Sequence, residues 1–172
     1  CSSDLTNSTQ RTITVWTGQP NGGGTAVDAG TKTVRVESLG GIPISITTYD
    51  IASNIKTGET IHSDFDDEQR PRRTDFLDGT YEVRSYGCCG LESLTDRMGV
   101  TTSYTYDALG RQNVSTRLGI SSFQHLDSAG NATNTFRVGT DSTTQNQQRA
   151  VFDLAGRPTA ETNALGGLTV KA

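Results

Sequence analysis

The chain has 172 residues, with 15 basic and 19 acidic side chains and a formal net charge of −4. Neither sign forms a long run, which argues against a nucleic-acid partner and against a membrane-surface helix. No stretch approaches the roughly 20 apolar residues that a membrane-spanning helix needs, so no membrane span is expected.

The composition favours strands and turns. Apolar residues make up only 32% of the chain, whereas Thr and Ser number 27 and 15 and Gly numbers 19. Thr is enriched in half-exposed strands, and Gly, Asn and Asp are enriched in turns. The sequence therefore predicts an all-β fold. It begins at Cys1 rather than Met, and we expect it to be an excerpt of a longer protein.

Residues 1–48 are predicted to form a degenerate β lead-in or divergent repeats. Residues 32–39 and 42–48 are strand-like and flank Gly40 and Gly41, which predicts a hairpin. Pro43 places the second of these strands at an edge or at a strand start. The segment Asn21-Gly22-Gly23-Gly24 is predicted to be a loop.

From residue 49 onward the chain repeats the pattern aromatic-Asp-x-x-Gly-Arg. Two copies are complete, at Tyr106 to Arg111 and at Phe152 to Arg157. Degenerate copies set the start of units of about 20 residues across residues 49–172. The predicted units start near 49, 65, 86, 106, 126 and 152.

Each unit is predicted to be strand, turn, strand, turn. The Asp can accept hydrogen bonds from backbone N–H groups two residues on, and the Gly tolerates a positive φ. Period-two alternation should place Tyr104 and Tyr106 on one face of their strand. We therefore expect a long antiparallel meander of β-hairpins, open at its edges in isolation. The polar stretch 140–148 is expected to be a loop insertion.

The repeated residues have a structural explanation, because aromatic side chains pair across strands and Arg111 or Arg157 can pair with an Asp of the neighbouring unit. The predicted structural repeat motif comprises Tyr49, Asp50, Phe65, Asp66, Arg70, Tyr86, Gly90, Asp96, Gly99, Tyr104, Tyr106, Asp107, Gly110, Arg111, Asp127, Gly130, Phe152, Asp153, Gly156, Arg157 and Gly166.

At these residues the sequence resembles the YD-repeat, or Rhs, family of large bacterial secreted and cell-surface proteins. The segment from Leu94 to Arg111 looks like one whole repeat unit. The resemblance implies a spiral of β-hairpins that forms a hollow shell, which encloses or displays a C-terminal toxin. It also implies a secreted or cell-surface location, with neighbouring repeats of the same parent chain as the main partners.

The catalytic parts of that family are not recognisable in the sequence. No Asp-Pro-x-Gly segment marks a self-cleaving protease core, and no toxin domain follows the repeats. No nucleophile or phosphate-binding motif occurs either. We therefore expect no catalytic residue, no cofactor and no enzymatic activity, and the alternative function is a carbohydrate-binding or cell-surface adhesion module.

Two clusters could have a role besides that of a turn. Cys88 and Cys89 could form a vicinal disulfide or bind a soft metal with His62 or His125, although the usual ligand spacing is lacking. The acidic group at 64–68 could attract Ca²⁺, but it lacks the Gly and Glu of an EF-hand loop. For both clusters the favoured interpretation is a repeat turn, with no metal bound.

Overall fold

The fold was obtained as a computed structural model, which describes residues 2–6 and 9–171 and the side chains from residue 9 onward. Every regular element in these residues is a strand, and all strand pairs are antiparallel. The predicted all-β class with β-hairpin repeats is confirmed. No helix in the described residues is long and apolar enough to cross a membrane.

The chain divides into two compact units, one up to Arg84 together with Asp96–Met98, and one comprising Ser85–Thr95 and the chain from Gly99 on. In the first unit each strand pairs with the next along the chain. Its strands are β1 (Ser2–Thr6), β2 (Gln10–Pro20), β3 (Val27–Ser38), β4 (Pro43–Asp50), β5 (Lys56–Phe65), β6 (Pro71–Phe76) and the start of β7 (Tyr81–Gly87).

The second unit has the same sequential order of antiparallel pairs from β8 to β15. Its strands are β8 (Gly90–Thr95), β9 (Thr101–Tyr106), β10 (Gln112–Arg117), β11 (Ile120–Leu126), β12 (Ala132–Val138), β13 (Thr144–Phe152), β14 (Pro158–Asn163) and β15 (Leu168–Val170).

The side chains in the middle of these sheets are mostly polar. Ala150 is the one apolar residue in the described part of the chain that is buried, while Glu37, Thr47 and Thr74 are the buried polar residues. In the described part of each unit the strands contact their sequence neighbours in one sheet, so an apolar face has no second layer to pack against there. The stability of each unit therefore depends on cross-strand hydrogen bonds and side-chain pairs more than on an apolar core.

Several local predictions can be compared with the strands. The hairpin around Gly40 and Gly41 is confirmed, because β3 ends at Ser38 and β4 begins at Pro43. The loop insertion expected over residues 140–148 was wrong for its second half, since β13 begins at Thr144 and pairs with β12. Residues 144–146 pair with β12 alone and β14 joins only at Gln148, so pairing with one neighbour is enough to outweigh the polar composition of this segment.

The expected division between residues 48 and 49 falls inside β4. Tyr49 and Phe65 are separated by the single strand β5, so their turns lie at opposite ends of that strand. Tyr106 and Leu126 are separated by the two strands β10 and β11, so their turns lie at the same end. The assignment of units 49–172 stays a prediction, but the copy at Tyr49 is one strand out of phase with the copy at Phe65.

Candidate functional site: the Asp-x-x-Gly turns

The turn after Tyr106 shows what the repeated motif does. One carboxylate oxygen of Asp107, Oδ1, accepts the backbone N–H groups of Leu109 at 2.9 Å and Arg111 at 3.0 Å. The other, Oδ2, accepts the Arg111 guanidinium through Nε at 2.8 Å and Nη2 at 2.7 Å. The Asp107 N–H donates to the Arg111 carbonyl, and the Gly110 N–H donates to the Asp107 carbonyl. One carboxylate thus organises the whole reversal of the chain.

The same arrangement occurs at the other complete copy and in modified form elsewhere. Asp153 accepts the N–H groups of Ala155 and Arg157 at 2.9 Å each and pairs with the Arg157 guanidinium. Asp127 accepts the equivalent two N–H groups, and Asn131 replaces the arginine by donating Nδ2 to Asp127 Oδ2 at 3.0 Å. The two backbone bonds are the same although the fifth residue of this turn is Asn131 and not an arginine. The Asp, and not the Arg, therefore determines the turn.

The pKa values of these carboxyls follow from the hydrogen bonds. The pKa of Asp107 lies below its ordinary value because of the Arg111 side-chain and backbone donors. The pKa of Asp127 is lowered first by the Asn131 side chain and then by its backbone N–H. The folded chain therefore favours the ionised form of each turn carboxylate. A carboxylate that favours its ionised form serves as an anchor and is poorly suited to donate a proton near neutral pH.

The fourth residue of each turn adopts a positive φ. Gly110, Gly130, Gly156 and Gly166 have φ values of 74°, 92°, 76° and 81°. This confirms the expected positive φ at Gly110. In the turn after Phe65 the same position is held by Gln69, whose φ is 62° and whose N–H donates to the Asp66 carbonyl at 2.9 Å. A non-glycine residue there carries conformational strain.

Arg111 also connects one motif turn to the next. Its Nη1 donates to the Asp127 carbonyl at 2.6 Å. The expectation that Arg111 or Arg157 can pair with an Asp of the neighbouring unit is met by Arg111 through the Asp127 backbone carbonyl, whereas the charge pair of each arginine is with the Asp of its own turn. Only three residues lie between Asp107 and Arg111, and this short spacing places the guanidinium within reach of the carboxylate of its own turn. What Arg111 reaches in the next turn is a backbone carbonyl.

The motif tyrosine Tyr106 bridges to the neighbouring strand. Its hydroxyl donates to the Leu91 carbonyl at 2.9 Å. The ring lies over Gly90, where an added Cβ would be 2.9 Å from the hydroxyl oxygen, and Gly90 has a φ of 139°. Tyr104 and Tyr106 are both half-buried and alternate with exposed residues of β9, as the period-two pattern predicts.

The remaining motif residues take varied roles. Asp50 accepts the Ser53 N–H and hydroxyl, and Tyr49 lies 4.5 Å from the Lys32 ammonium. Asp96 accepts the Met98 N–H at 2.9 Å, with Gly99 at a φ of 76°. Asp66 accepts N–H groups of Glu68 and Arg70. Tyr86 lies at the end of β7 and is half-buried.

The sequence motif did not identify two residues that organise turns, Ser38 and Arg97. Ser38 begins a turn with the same two backbone bonds, accepts the Ile42 N–H through Oγ at 3.1 Å, and places Gly41 at a φ of 85°. The signal was the Ser-x-x-Gly spacing, which an Asp-based search passes over. Arg97 bonds the Thr80 hydroxyl at 2.7 Å and also contacts Asp78, which links two more turns.

The clusters considered for metal binding form part of turns and strands. Asp66 is engaged by its own turn, and His62 Nδ1 lies 3.1 Å from the Thr74 hydroxyl. Cys88 and Cys89 are exposed, with their Sγ atoms 2.9 Å apart. Over residues 9–171, no three His, Cys, Asp or Glu side chains converge in a group that could hold a metal ion.

A cleft lies on one face of the second unit. It has a volume of about 500 Å³ and is lined in part by His125, Asn134, Arg149 and Leu168. These residues form one cross-strand row, with Thr162 between Arg149 and Leu168. The Oδ1 atom of Asn134 is buried without a hydrogen-bond partner in the described part of the chain. Next to this row, Phe123 and Phe136 stack with their ring centroids 4.8 Å apart.

Comparison with known proteins identifies one repeat. The family model of the RHS repeat matches residues 91–121. The match covers β8 from Leu91, the turn at 96–100, β9, the Asp107 turn, β10 and the first two residues of β11. No curated protein matches the chain. The geometry of the Asp107 turn therefore lies inside the matched repeat.

Proposed function

We propose that this chain, an RHS-repeat protein by its match over residues 91–121, is a structural segment in the wall of a β-shell. The shell would belong to a large bacterial secreted or cell-surface protein and would enclose or display a C-terminal toxin. In this proposal the segment performs no catalysis. Its partners are neighbouring repeats of the same parent chain and the enclosed toxin.

The observation that carries the proposal is the use made of the motif residues. Asp107 accepts hydrogen bonds from residues of its own turn, and Arg111 donates to that turn and to the next one. In these roles Asp107 and Arg111 build the hairpin turn and are not free to act as an acid or a base. Turn chemistry of this kind supports a structural role.

The sparse apolar core supports the same proposal. A ribbon with one buried apolar residue in its described part gains little from apolar burial within its own units. Repeat proteins obtain stability from contacts between adjacent repeats, so a ribbon of this composition fits a longer array. Its exposed turn residues Leu109, Leu154 and Leu165 would then meet other parts of that array.

The test is the mass of the native protein in its source, from a blot with an antibody to this segment and peptide mass spectrometry of the band. The expected result is a band far above 18.4 kDa with YD-repeat peptides on both sides of the segment. The same peptides would identify any toxin domain. A band at 18.4 kDa would overturn the shell proposal.

Carbohydrate binding is the second candidate, and the cleft beside Asn134 and Arg149 favours it. An unsatisfied amide oxygen, an exposed guanidinium and an apolar Leu168 are groups that can meet the hydroxyls and the apolar face of a sugar. A glycan array with the 172-residue chain tests it. Binding that is lost in Arg149→Ala and kept in Arg137→Ala, on the opposite face of β12, would support it, whereas an array without hits would refute it.

A further inference from the structure

Cys88 and Cys89 form the entire connection between β7 (Tyr81–Gly87) and β8 (Gly90–Thr95). Both side chains are exposed, and their Sγ atoms lie 2.9 Å apart. In an extended strand, successive side chains point to opposite faces. Here the two-residue turn places adjacent thiols on the same side and in contact.

The residues around this turn leave the two thiols accessible. The Glu92 side chain lies where a Cβ at Gly87 would be, and the Tyr106 hydroxyl lies 2.9 Å from where a Cβ at Gly90 would be. Glu92 and Tyr106 thus lie against the two glycines that flank the turn and leave no room for a side chain there. The thiols face outward between these supports, where a small oxidant can reach them.

We propose that Cys88 and Cys89 are a reversible oxidation site, at which a low-molecular-weight disulfide converts the adjacent thiols into a vicinal disulfide. This site goes beyond the structural role proposed above and does not depend on it. The repeat motif explains why a turn is present here, but it does not explain two cysteines in contact.

The reaction is a pair of thiol-disulfide exchanges. One thiolate attacks a sulfur of the low-molecular-weight disulfide, forms a mixed disulfide and expels the first small thiolate. The neighbouring thiol loses its proton and attacks the protein sulfur of the mixed disulfide, which expels the second small thiolate. The two protons released by the cysteines are taken up by the two small thiolates. The protein loses two hydrogen atoms, and one disulfide is reduced to two thiols.

Covalent geometry makes the product reducible. Adjacent Cα atoms are about 3.8 Å apart, whereas disulfides usually join Cα atoms about 4.4–6.8 Å apart. Strained and exposed disulfides are the labile ones. Because the closed ring spans a single peptide bond, oxidation removes little chain entropy from the unfolded state. The modification therefore changes the turn locally and adds little to global stability.

The rate of ring closure should rise with pH. Contact with the Cys88 thiol, partial burial and the nearby Glu92 raise the pKa of Cys89 above its ordinary value. Since the thiolate is the attacking species, attack on the low-molecular-weight disulfide, and with it formation of the ring, accelerates in alkaline buffer.

The test uses the 172-residue chain with Cys1→Ser, which leaves Cys88 and Cys89 as its two thiols. After incubation with oxidised glutathione, intact-mass analysis should show a monomer lighter by two hydrogen atoms, and peptide mapping should place the change at 88–89. Dithiothreitol should restore the reduced mass. The matched variant with Cys1→Ser and Cys89→Ser should instead accumulate a glutathione adduct, with an unchanged far-ultraviolet circular dichroism spectrum.

Two results would overturn the proposal. In one, the Cys1→Ser chain retains both free thiols at every glutathione ratio and pH tested. In the other, it accumulates stable glutathione adducts or disulfide-linked dimers in place of the lighter monomer. Either result would mean that the contact between the two sulfurs does not lead to ring closure.

Discussion

At the residue scale, the fourth turn position decides how easily the chain reverses. Gly110 has a φ of 74°, and an added Cβ would meet no atom within 4 Å. A side chain there is therefore disfavoured by backbone conformation alone, without a clash. A substitution at Gly110 therefore measures the free-energy cost of the backbone conformation without a contribution from side-chain clashes.

We expect Gly110→Val to destabilise the chain by about 1–2 kcal/mol, because a β-branched residue in the left-handed region is strongly disfavoured. The measurement is the melting temperature, which should fall by about 2–4 °C per kcal/mol in a chain of this size. Gly22→Val is the matched control, since Gly22 is also exposed and free of Cβ neighbours but has no positive φ. An unchanged melting temperature for Gly110→Val would contradict the assignment.

Replacing a non-glycine residue by glycine at the same turn position should stabilise the chain. Gln69 occupies the same turn position with a φ of 62°, so Gln69→Gly relieves the strain of a left-handed non-glycine residue. The expected gain is about 0.5–1 kcal/mol, net of the extra flexibility of glycine in the unfolded chain. Urea unfolding monitored by circular dichroism measures it. Gln145→Gly, within β13, should lower stability instead, and a loss at Gln69 would refute the strain argument.

Residue types predicted these turns well, but they did not predict every partner. Asp followed three residues later by Gly identified the turns at Asp107 and Asp153, because the side-chain bonds are local. The bond from Arg111 to the Asp127 carbonyl could not be foreseen, since it depends on the register between neighbouring turns. The same holds for Tyr106 and the Leu91 carbonyl, which meet only because β8 and β9 pair.

At the element scale, the turn carboxylates make the hairpins sensitive to acid. The lowered pKa of Asp107 means that the folded chain binds a proton less readily than the unfolded chain. This contribution to stability is complete above the ordinary Asp pKa of about 3.9 and is lost as the pH falls below it.

We expect the melting temperature to fall with pH in that acidic range, and the fall to be smaller for Asp107→Asn. An asparagine can keep the two backbone bonds, as Asn163 does by accepting the N–H groups of Leu165 and Gly167. At neutral pH the variant should be less stable because it loses the charge pair with Arg111. Differential scanning calorimetry across pH measures both effects. An identical acid response in the variant and the parent chain would rule Asp107 out as a contributor.

Asn131 offers a way to add a contact between turns. Asn131 Oδ1 lies 3.7 Å from where a Cβ at Gly156 would be, and Arg111 Nη1 lies 3.9 Å from the equivalent point at Gly130. Because the Asn side chain is three bonds shorter than that of Arg, residue 131 lies closer to its following turn than residue 111 does, and a longer side chain at 131 can extend past Gly156. Asn131→Arg should pair with Asp127 and reach the Asp153 carbonyl, with a gain of about 0.5–1.5 kcal/mol in the free energy of unfolding.

Chemical denaturation of that variant measures the gain. Asn146→Arg, at an exposed position of β13, adds the same charge without a turn to bridge and should leave stability nearly unchanged. Equal stabilisation by the two substitutions would mean that added positive charge on a chain of net charge −4, and not the bridge, is responsible.

The positions of strands could be predicted where polar and apolar residues alternate clearly. The prediction was wrong where a polar composition indicated a loop. The strand β9 alternates and was foreseen, while the start of β13, with its run of Gln and Asn, was taken for a loop. The polar start of β13 pairs with β12 alone, so in a meander a polar segment becomes a strand when one neighbour offers a hydrogen-bonding edge. That condition depends on the surrounding sheet and is not encoded in the segment alone.

At the scale of the whole molecule, the repeat is a pair of strands and not a single strand. Turns of one kind recur at the same strand end only when two strands separate them, as Asp107 and Asp127 are separated by β10 and β11. Because each strand contacts its sequence neighbours, an added unit should be accommodated if it preserves this phase.

We expect a duplication of residues 107–126, inserted after Leu126, to fold and to raise the melting temperature. The insert adds two strands, returns Asp127 to the same strand end and gives its Arg111 copy a following turn to contact. Insertion of residues 107–117 at the same point adds one strand and should lower the melting temperature. It sends the Asp127 turn to the opposite end, away from the Arg111 contact. If both insertions were tolerated equally, the hairpins would be independent and the contacts between turns would contribute nothing.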